Sequence, residues 1–341
     1  KMMSKQNIIN SKNLFLIAGP CVIENEQITF DIAKKLKSIT KKLNIDFIFK
    51  ASYKKENRTK LDSFTGPGLE KGVEILKRIK NDLNIPITTD VHNAEDVLQV
   101  QDVVDIIQIP AFLCRQTDIL IQAAKSNKII NVKKGPFLSG ESCKFIIDKI
   151  RKSGNQDIMI TERGNSFGYE NLIVDIRNIP IIQKYEVPVI LDVTHANQKP
   201  NQTTGKSGGT PQYIETLAYA GVAAGADGLF LETHPNPKQA LSDGSSGSFV
   251  PKPSPVSGET KTAEPAKETT VPKTVTKEAL KKDPPKKEPT QPTMQKTTDL
   301  PKKPVTAKQT AAKAAAAVEA AAAKAAEEAA AKVKAVEEVA A

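Results

Sequence analysis

Ile129-Ile130-Asn131-Val132-Lys133 is a five-residue stretch, apolar at most positions, that ends on a charged side chain. Ile and Val fill it as a strand covered on both faces requires. Seven further stretches resemble it: Leu14–Ala18, Asp46–Lys50, Ile85–Thr89, Asp105–Ile109, Asp157–Thr161, Pro188–Val193 and Asp227–Glu232. Helical patterns lie between them. Leu69, Val73, Leu76, Ile79 and Leu83 recur at three- and four-residue steps, which marks one buried helix face. Thr210 to Gly225 holds another helix, closed by its glycine. Eight β-α units in about 230 residues predict an α/β protein of the (β/α)8, or TIM, barrel class. A doubly wound open sheet is the weaker reading, because no Gly-rich dinucleotide turn follows the first strand.

The end of the pattern is irregular. After the eighth strand the chain reaches Asp243 and enters Gly244-Ser245-Ser246-Gly247-Ser248 with no amphipathic stretch. This predicts a barrel lacking its usual eighth helix, with part of the Leu229–Leu231 outer face uncovered and a domain that is marginal without subunit contacts. Composition changes at the same place. Of 22 prolines, 11 fall between Pro251 and Pro304, and Phe249 is the last aromatic residue. The reading is therefore a (β/α)8 domain over 1–244, a disordered Lys/Pro/Thr-rich linker over 245–309, and an Ala-rich solvated helix over 310–341.

Bulk properties exclude several classes. No apolar run of the 341-residue chain approaches the ~20 residues of a membrane span, so no membrane partner is expected. Three cysteines are too few for a disulfide scaffold and suggest a reducing compartment. With no apolar signal core in Lys1 to Asn13, the expected location is the cytoplasm. Half of the net charge of +10 sits on residues 245–341, where 17 lysines face 12 acidic residues. Neither half carries an overwhelming basic field, so nucleic acid is not the expected partner, and phosphorylated small molecules suit the charge equally well.

In a barrel the carboxyl ends of the strands converge on one face. The residues there are Cys21, Lys50, Asp90, Gln108, Lys133, Arg163, His195 and Glu232. Ordinary turns would offer Gly, Asn, Asp and Ser instead. The set divides into two chemistries. Cys21, His195, Glu232 and Asp243 offer sulfur, imidazole and carboxylate donors, which suit one divalent transition metal such as Fe2+, Zn2+ or Mn2+. Lys50, Lys55, Arg58, Arg115, Lys133 and Arg163 imply an anionic ligand with two phosphoryl or carboxylate groups. Cys114 and Cys143 read as core residues, and His92 and His234 as hydrogen-bonding neighbours.

Several strings resemble the 3-deoxy-D-manno-octulosonate-8-phosphate synthase family, also called 2-dehydro-3-deoxyphosphooctonate aldolase. They are Ala18-Gly19-Pro20-Cys21 with Glu24, Phe49-Lys50-Ala51-Ser52 through Asn57-Arg58-Thr59, Thr89-Asp90-Val91-His92, and Ile107 to Asp118. Further along come Asn131-Val132-Lys133-Lys134-Gly135, Thr161-Glu162-Arg163-Gly164 with Phe167-Gly168-Tyr169, Asp192-Val193-Thr194-His195, and Leu231-Glu232-Thr233-His234-Pro235 through Asp243. The resemblance covers about residues 12–244 in unbroken order and none of the tail.

It implies a cytoplasmic (β/α)8 transferase, usually a homotetramer. Such an enzyme condenses phosphoenolpyruvate with arabinose 5-phosphate and water for lipopolysaccharide biosynthesis, and needs no organic cofactor. Metal-free relatives carry Asn at the position of Cys21, which places this chain with the metal-dependent ones. The resemblance makes Lys50, Lys55, Asp90 and His195 the catalytic groups and puts Ser52 in the same pocket. Lys133, Arg163, Gln108 and Lys55 would hold phosphoenolpyruvate. Asn57, Arg58 and Thr59, helped by Arg115 from a neighbouring subunit, would face the aldose phosphate. Glu56, Thr59 and Pro136 depart from the commoner Ala, Ser and Gln. Two alternatives stand beside this reading. One is 3-deoxy-D-arabino-heptulosonate-7-phosphate synthase, which takes erythrose 4-phosphate; against it, Asn57 favours the five-carbon aldose. The other is a non-catalytic barrel whose Lys-rich tail binds a polyanion or partner.

Overall fold

The computed structural model describes residues 8–9, 11, 13–58, 61–200 and 208–242. Eight parallel strands close into a barrel: β1 (Phe15–Gly19), β2 (Asp46–Lys50), β3 (Ile87–Asp90), β4 (Ile106–Ile109), β5 (Ile129–Lys133), β6 (Ile158–Glu162), β7 (Val189–Asp192) and β8 (Gly228–Glu232). Each pairs with its sequence neighbours, and β1 pairs with β8 from Phe15↔Gly228 to Gly19↔Glu232 to complete the ring. Seven helices cover the outside: α1 (Glu26–Leu43), α2 (Leu69–Leu83), α3 (Ala94–Val100), α4 (Thr117–Lys125), α5 (Cys143–Lys152), α6 (Asn178–Gln183) and α7 (Ile214–Ala223).

The two-residue period of the strands sorts the core into two layers. Phe15, Ile17, Ile48, Ile106, Ile129, Met159, Ile190 and Phe230 point inward, and Ile8 joins them. Alternate positions such as Leu16, Phe47, Phe49, Ile107, Ile130, Val132, Ile160 and Leu191 point outward against the helices. In α2 the predicted stripe is seen: Leu76, Ile79 and Leu83 are buried, and Leu69 and Val73 pack at its margin. Asn25 caps α1 by accepting the Ile28 N–H, and Asn44 ends that helix with φ 54°. At Gly19 a Cβ would collide with the Lys50 carbonyl oxygen. Only glycine lets the ends of β1 and β2 meet there, immediately before Cys21.

Several strands begin one or two residues later than the sequence suggests. At the feet of two of them the carboxylates of Asp105 and Asp227 accept the Ile87 N–H at 2.9 Å and the Val189 N–H at 2.7 Å, so each side chain caps a neighbouring strand while its own backbone N–H bonds the carbonyl of that same residue. Two short pairings were not anticipated: a hairpin of Asn165–Phe167 with Asn171–Ile173, and a pairing of Gln198–Lys199 with Gly208–Gly209.

Among the described residues no α-helix follows β8, only the 3-10 turn Pro237–Gln239. The expected open face is not found, however. Leu229 and Leu231 are 0% and 1% exposed and belong to the outer apolar layer, against which Leu217, Tyr219 and Val222 of α7 also pack. The predicted linker and Ala-rich helix lie outside the described residues, as do Thr59 and Asp243.

Candidate active site

Two residues beyond the inward apolar layer, the same strands carry charges. Lys50 is 1% exposed at the end of β2. Its ammonium donates to Ser52 Oγ at 2.8 Å and to the Cys21 carbonyl at 3.2 Å, and lies 3.5 Å from Asp90 and 3.6 Å from Glu232. Asp90 accepts hydrogen bonds from Ser52 Oγ on one oxygen and Gln108 Nε2 on the other. The chain continues around the wall. Asn131 donates to Gln108 Oε1 at 3.3 Å, and Thr161 donates to Asn131 Oδ1 at 2.7 Å. A polar belt thus links β2 through β6.

Across the mouth, Lys133 donates to Asp192 Oδ2 at 2.5 Å, lies 3.2 Å from His195 Nδ1, and sits 3.6 Å above the centre of the Phe230 ring. Asp192 also lies 2.7 Å from His195 Nδ1 and accepts the backbone N–H of His195 at 2.8 Å. It therefore orients both a lysine and a histidine. Arg163 donates to Gln198 Oε1 at 3.0 Å and to the His195 carbonyl at 3.4 Å. Lys55 reaches within 3.7 Å of Glu232 Oε1.

These neighbours decide the protonation states. Burial alone would raise Asp90, but the charges of Lys50 and Lys55 and the Ser52 hydrogen bond hold it well below the usual carboxylate range. Burial is likewise outweighed at Asp192 by His195 and Lys133, and at Glu232 by His195, Lys55 and Lys50. For Lys133 burial prevails over Asp192, and its affinity for a proton is lowered. The mouth holds three ionised carboxylates among Lys50, Lys55, Lys133 and Arg163.

Of the expected metal ligands, His195 and Glu232 meet: Nε2 and Oε1 are 3.2 Å apart. Cys21 is buried at the end of β1. Among the described residues no three His, Cys, Asp or Glu side chains stand at metal-holding spacing. The donors that do meet fit an ion. Bonds of about 2.0–2.2 Å from one tetrahedral ion place adjacent ligands a little over 3 Å apart. Asp192 at Nδ1 supplies the orienting carboxylate that ligating histidines commonly have. Glu232 Oε1 is buried and receives no well-directed hydrogen bond.

The remaining predicted residues divide. Ser52 and Gln108 belong to the belt. Arg58 is half-buried and Asn57 exposed on the loop after β2. Arg115 is exposed on the turn before α4, where its carbonyl accepts from Lys149 at 3.2 Å, and it does not join the cluster. Cys114 and Cys143 are core residues with thiols pushed up by burial, the latter to about 12. His92 bonds Tyr53 and His234 accepts the Asn236 N–H, as expected of neighbours. Sequence reasoning missed Asp192, Asn131 and Thr161 as members of the site. Strand phase was the available signal for Asp192, since Ile190 and Asp192 share the inward face.

Comparison with known proteins agrees with this geometry. Residues 2–253 match the DAHP synthetase I family model. The 2-dehydro-3-deoxyphosphooctonate aldolase of Koribacter versatilis (strain Ellin345) is 50% identical over 241 residues, 69% of this chain and 86% of that protein. Proteins of the same name from Geobacter sp. (strain M21) and Geobacter metallireducens are 51% and 50% identical over 231 and 234 residues, covering 85% and 86% of their lengths.

Proposed function

The chain belongs to the DAHP synthetase I family, among its 2-dehydro-3-deoxyphosphooctonate aldolases, and from that premise we infer its reaction. It condenses phosphoenolpyruvate with D-arabinose 5-phosphate and water, giving 3-deoxy-D-manno-octulosonate 8-phosphate and inorganic phosphate for lipopolysaccharide biosynthesis. One observation carries the reading: half-identity to aldolases of that name, in a chain whose family match spans the whole charged mouth.

Roles follow from charge and position. Lys133 and Arg163, with Gln108 and Lys55, hold the phosphate and carboxylate of phosphoenolpyruvate. Asn57 and Arg58, with Thr59, receive the aldose phosphate. Lys50, Ser52 and Asp90 form a bonded triplet beside them. The triplet fixes the Lys50 ammonium where negative charge grows on the aldehyde oxygen. In the reaction C3 of the enol attacks the aldehyde carbon, whose oxygen takes up a proton. Water adds at C2 and gives up a proton. The resulting hemiketal phosphate expels inorganic phosphate by C–O cleavage. Asp192 holds the Lys133 ammonium and the His195 ring in register throughout. Cys21, His195, Glu232 and Asp243 would hold one divalent transition metal, which supplies Lewis-acid polarisation of the aldehyde oxygen. Exposed Arg115, beside exposed Phe112, suits a homotetramer in which it completes a neighbour's aldose site.

Phosphate release from phosphoenolpyruvate tests the reading. Turnover is expected with arabinose 5-phosphate, to be lost on chelation and restored by Fe2+, Zn2+ or Mn2+. Faster turnover with erythrose 4-phosphate would move the chain to the heptulosonate branch of its family. Chelator-resistant activity would remove Cys21 from its assigned role.

A further inference from the structure

Behind the mouth lies a second buried lysine that the reaction does not use. Lys134 is 0% exposed and faces away from the substrate side, because it follows inward-facing Lys133. Its ammonium has five oxygens within reach: Leu138 O at 3.0 Å, Asn165 Oδ1 at 3.1 Å, Glu162 Oε1 and Gly135 O at 3.4 Å, and Gly164 O at 3.5 Å. Glu162, also 0% exposed, accepts the Gly164 N–H at 2.6 Å and Asn178 Nδ2 at 2.9 Å. Asn165 ties the same turns again by donating to Leu138 O at 2.6 Å.

An apolar pair of similar volume would fill this space without the desolvation cost of two ions. What the ions add is connection. Lys134 joins the turn after β5 to the turn after β6, while Glu162 anchors the second turn to α6. Each is one peptide bond from a cation of the mouth: Lys134 from Lys133, and Glu162 from Arg163. We propose that Lys134 and Glu162 are positioning residues that set the spacing of Lys133 and Arg163 for phosphoenolpyruvate. The inference rests on the reading that those two cations hold that substrate. Without the pair the turns keep the bonds from Asn165 and Ser166 to Leu138 O and Pro136 O but lose the link that sits directly beside Lys133 and Arg163, and a misplacement of the order of 1 Å at a charged clamp costs up to ~100-fold.

The test uses the metal-loaded full chain with Lys134→Met, Glu162→Gln and the double variant. Phosphoenolpyruvate affinity is measured by titration calorimetry and by KM, together with KM for arabinose 5-phosphate and thermal melting. The single variants are expected to bind phosphoenolpyruvate ~10-fold more weakly or worse, with arabinose 5-phosphate KM within about twofold of wild type. K134M leaves an unpaired buried carboxylate and melts early. The double variant removes that charge and recovers stability, yet its phosphoenolpyruvate affinity stays low. A purely structural role would return affinity and stability together, and that result overturns the proposal, as do variants with wild-type affinity. If K134M does not fold, E162Q and the double variant decide. Because binding is read directly, a wild type that binds phosphoenolpyruvate without turning it over fails the assigned reaction alone.

Discussion

The two ends of the barrel interior are made by the same strands with opposite chemistry. At the lower end Ile48, Ile106, Ile129, Ile190 and Phe230 meet in a dry layer. Two residues further along each strand stand Lys50, Gln108, Asn131, Asp192 and Glu232, and Lys133 follows Asn131 by two more. Burial does not distinguish these layers, for nearly every one of these side chains is inaccessible. What differs is what burial does. In the lower layer it contributes the apolar stabilisation that closes the ring. In the upper layer it makes each carboxylate depend on a lysine within a few ångströms, so the mouth is a preorganised field maintained by the layer beneath it. Phe230 is the boundary, apolar below and carrying the Lys133 ammonium on its face.

Substitutions in the two layers should therefore separate activity from stability. The largest effect is expected for Arg163→Gln in the upper layer. Losing one fixed cation from the proposed phosphoenolpyruvate site should lower kcat/KM by about 10²–10³-fold. Melting should change far less than turnover, because Asp90, Asp192 and Glu232 keep Lys50, Lys55 and Lys133 as their cations. A melting loss as severe as the kinetic one would break the distinction. Ile129→Ala in the lower layer should do the reverse. A cavity at this fully buried site costs about 2–5 kcal/mol by urea unfolding, while KM for both substrates of the folded fraction stays at wild type.

Much of this division was readable in the sequence, because strands buried on both faces declare themselves by short runs rich in Ile and Val. The ring order and the convergence of Lys50, Asp90, Lys133 and Glu232 followed from that. What escaped has local physical causes. Asp105 and Asp227 look like strand starts but turn their carboxylates to neighbouring backbones. The Asn165–Phe167 hairpin is three residues a side and mostly exposed, too short for any periodicity. Leu229 and Leu231 were expected to lie open because no eighth helix is written after β8, yet packing is a property of the neighbours as well as of the following segment. Lys133 and Arg163 were legible as mouth residues, whereas Lys134 and Glu162 were not singled out, because their pairing depends on two turns from different strands. Of the donor types that suggested a metal, the structure brings His195 and Glu232 together, and among the described residues no third ligand stands with them.

The comparison sharpens at a third kind of buried ionisable group, one at which a nearby cation, Lys134, does not outweigh burial. Around Asp90, Asp192 and Glu232 cations outweigh burial and the charged form persists. At Cys143 burial is the largest influence and the thiol is pushed up to about 12. The sign of the consequence is fixed. Above pH 9 the unfolded chain releases this proton while the folded chain keeps it, so wild-type stability should fall as pH rises between 9 and 12. The share lost between pH 8 and pH 10 is about 1.4 kcal/mol, the equivalent of one unit beyond the ordinary thiol value. Cys143→Ala removes the group. Urea unfolding of both proteins at pH 8, 9 and 10 separates two effects: a pH-independent offset measures the small cavity, and a narrowing of the gap by about 1.4 kcal/mol measures the neutral thiol. Parallel curves would mean that the folded protein ionises Cys143 as readily as the unfolded chain, and that burial does not outweigh Lys134 at this thiol.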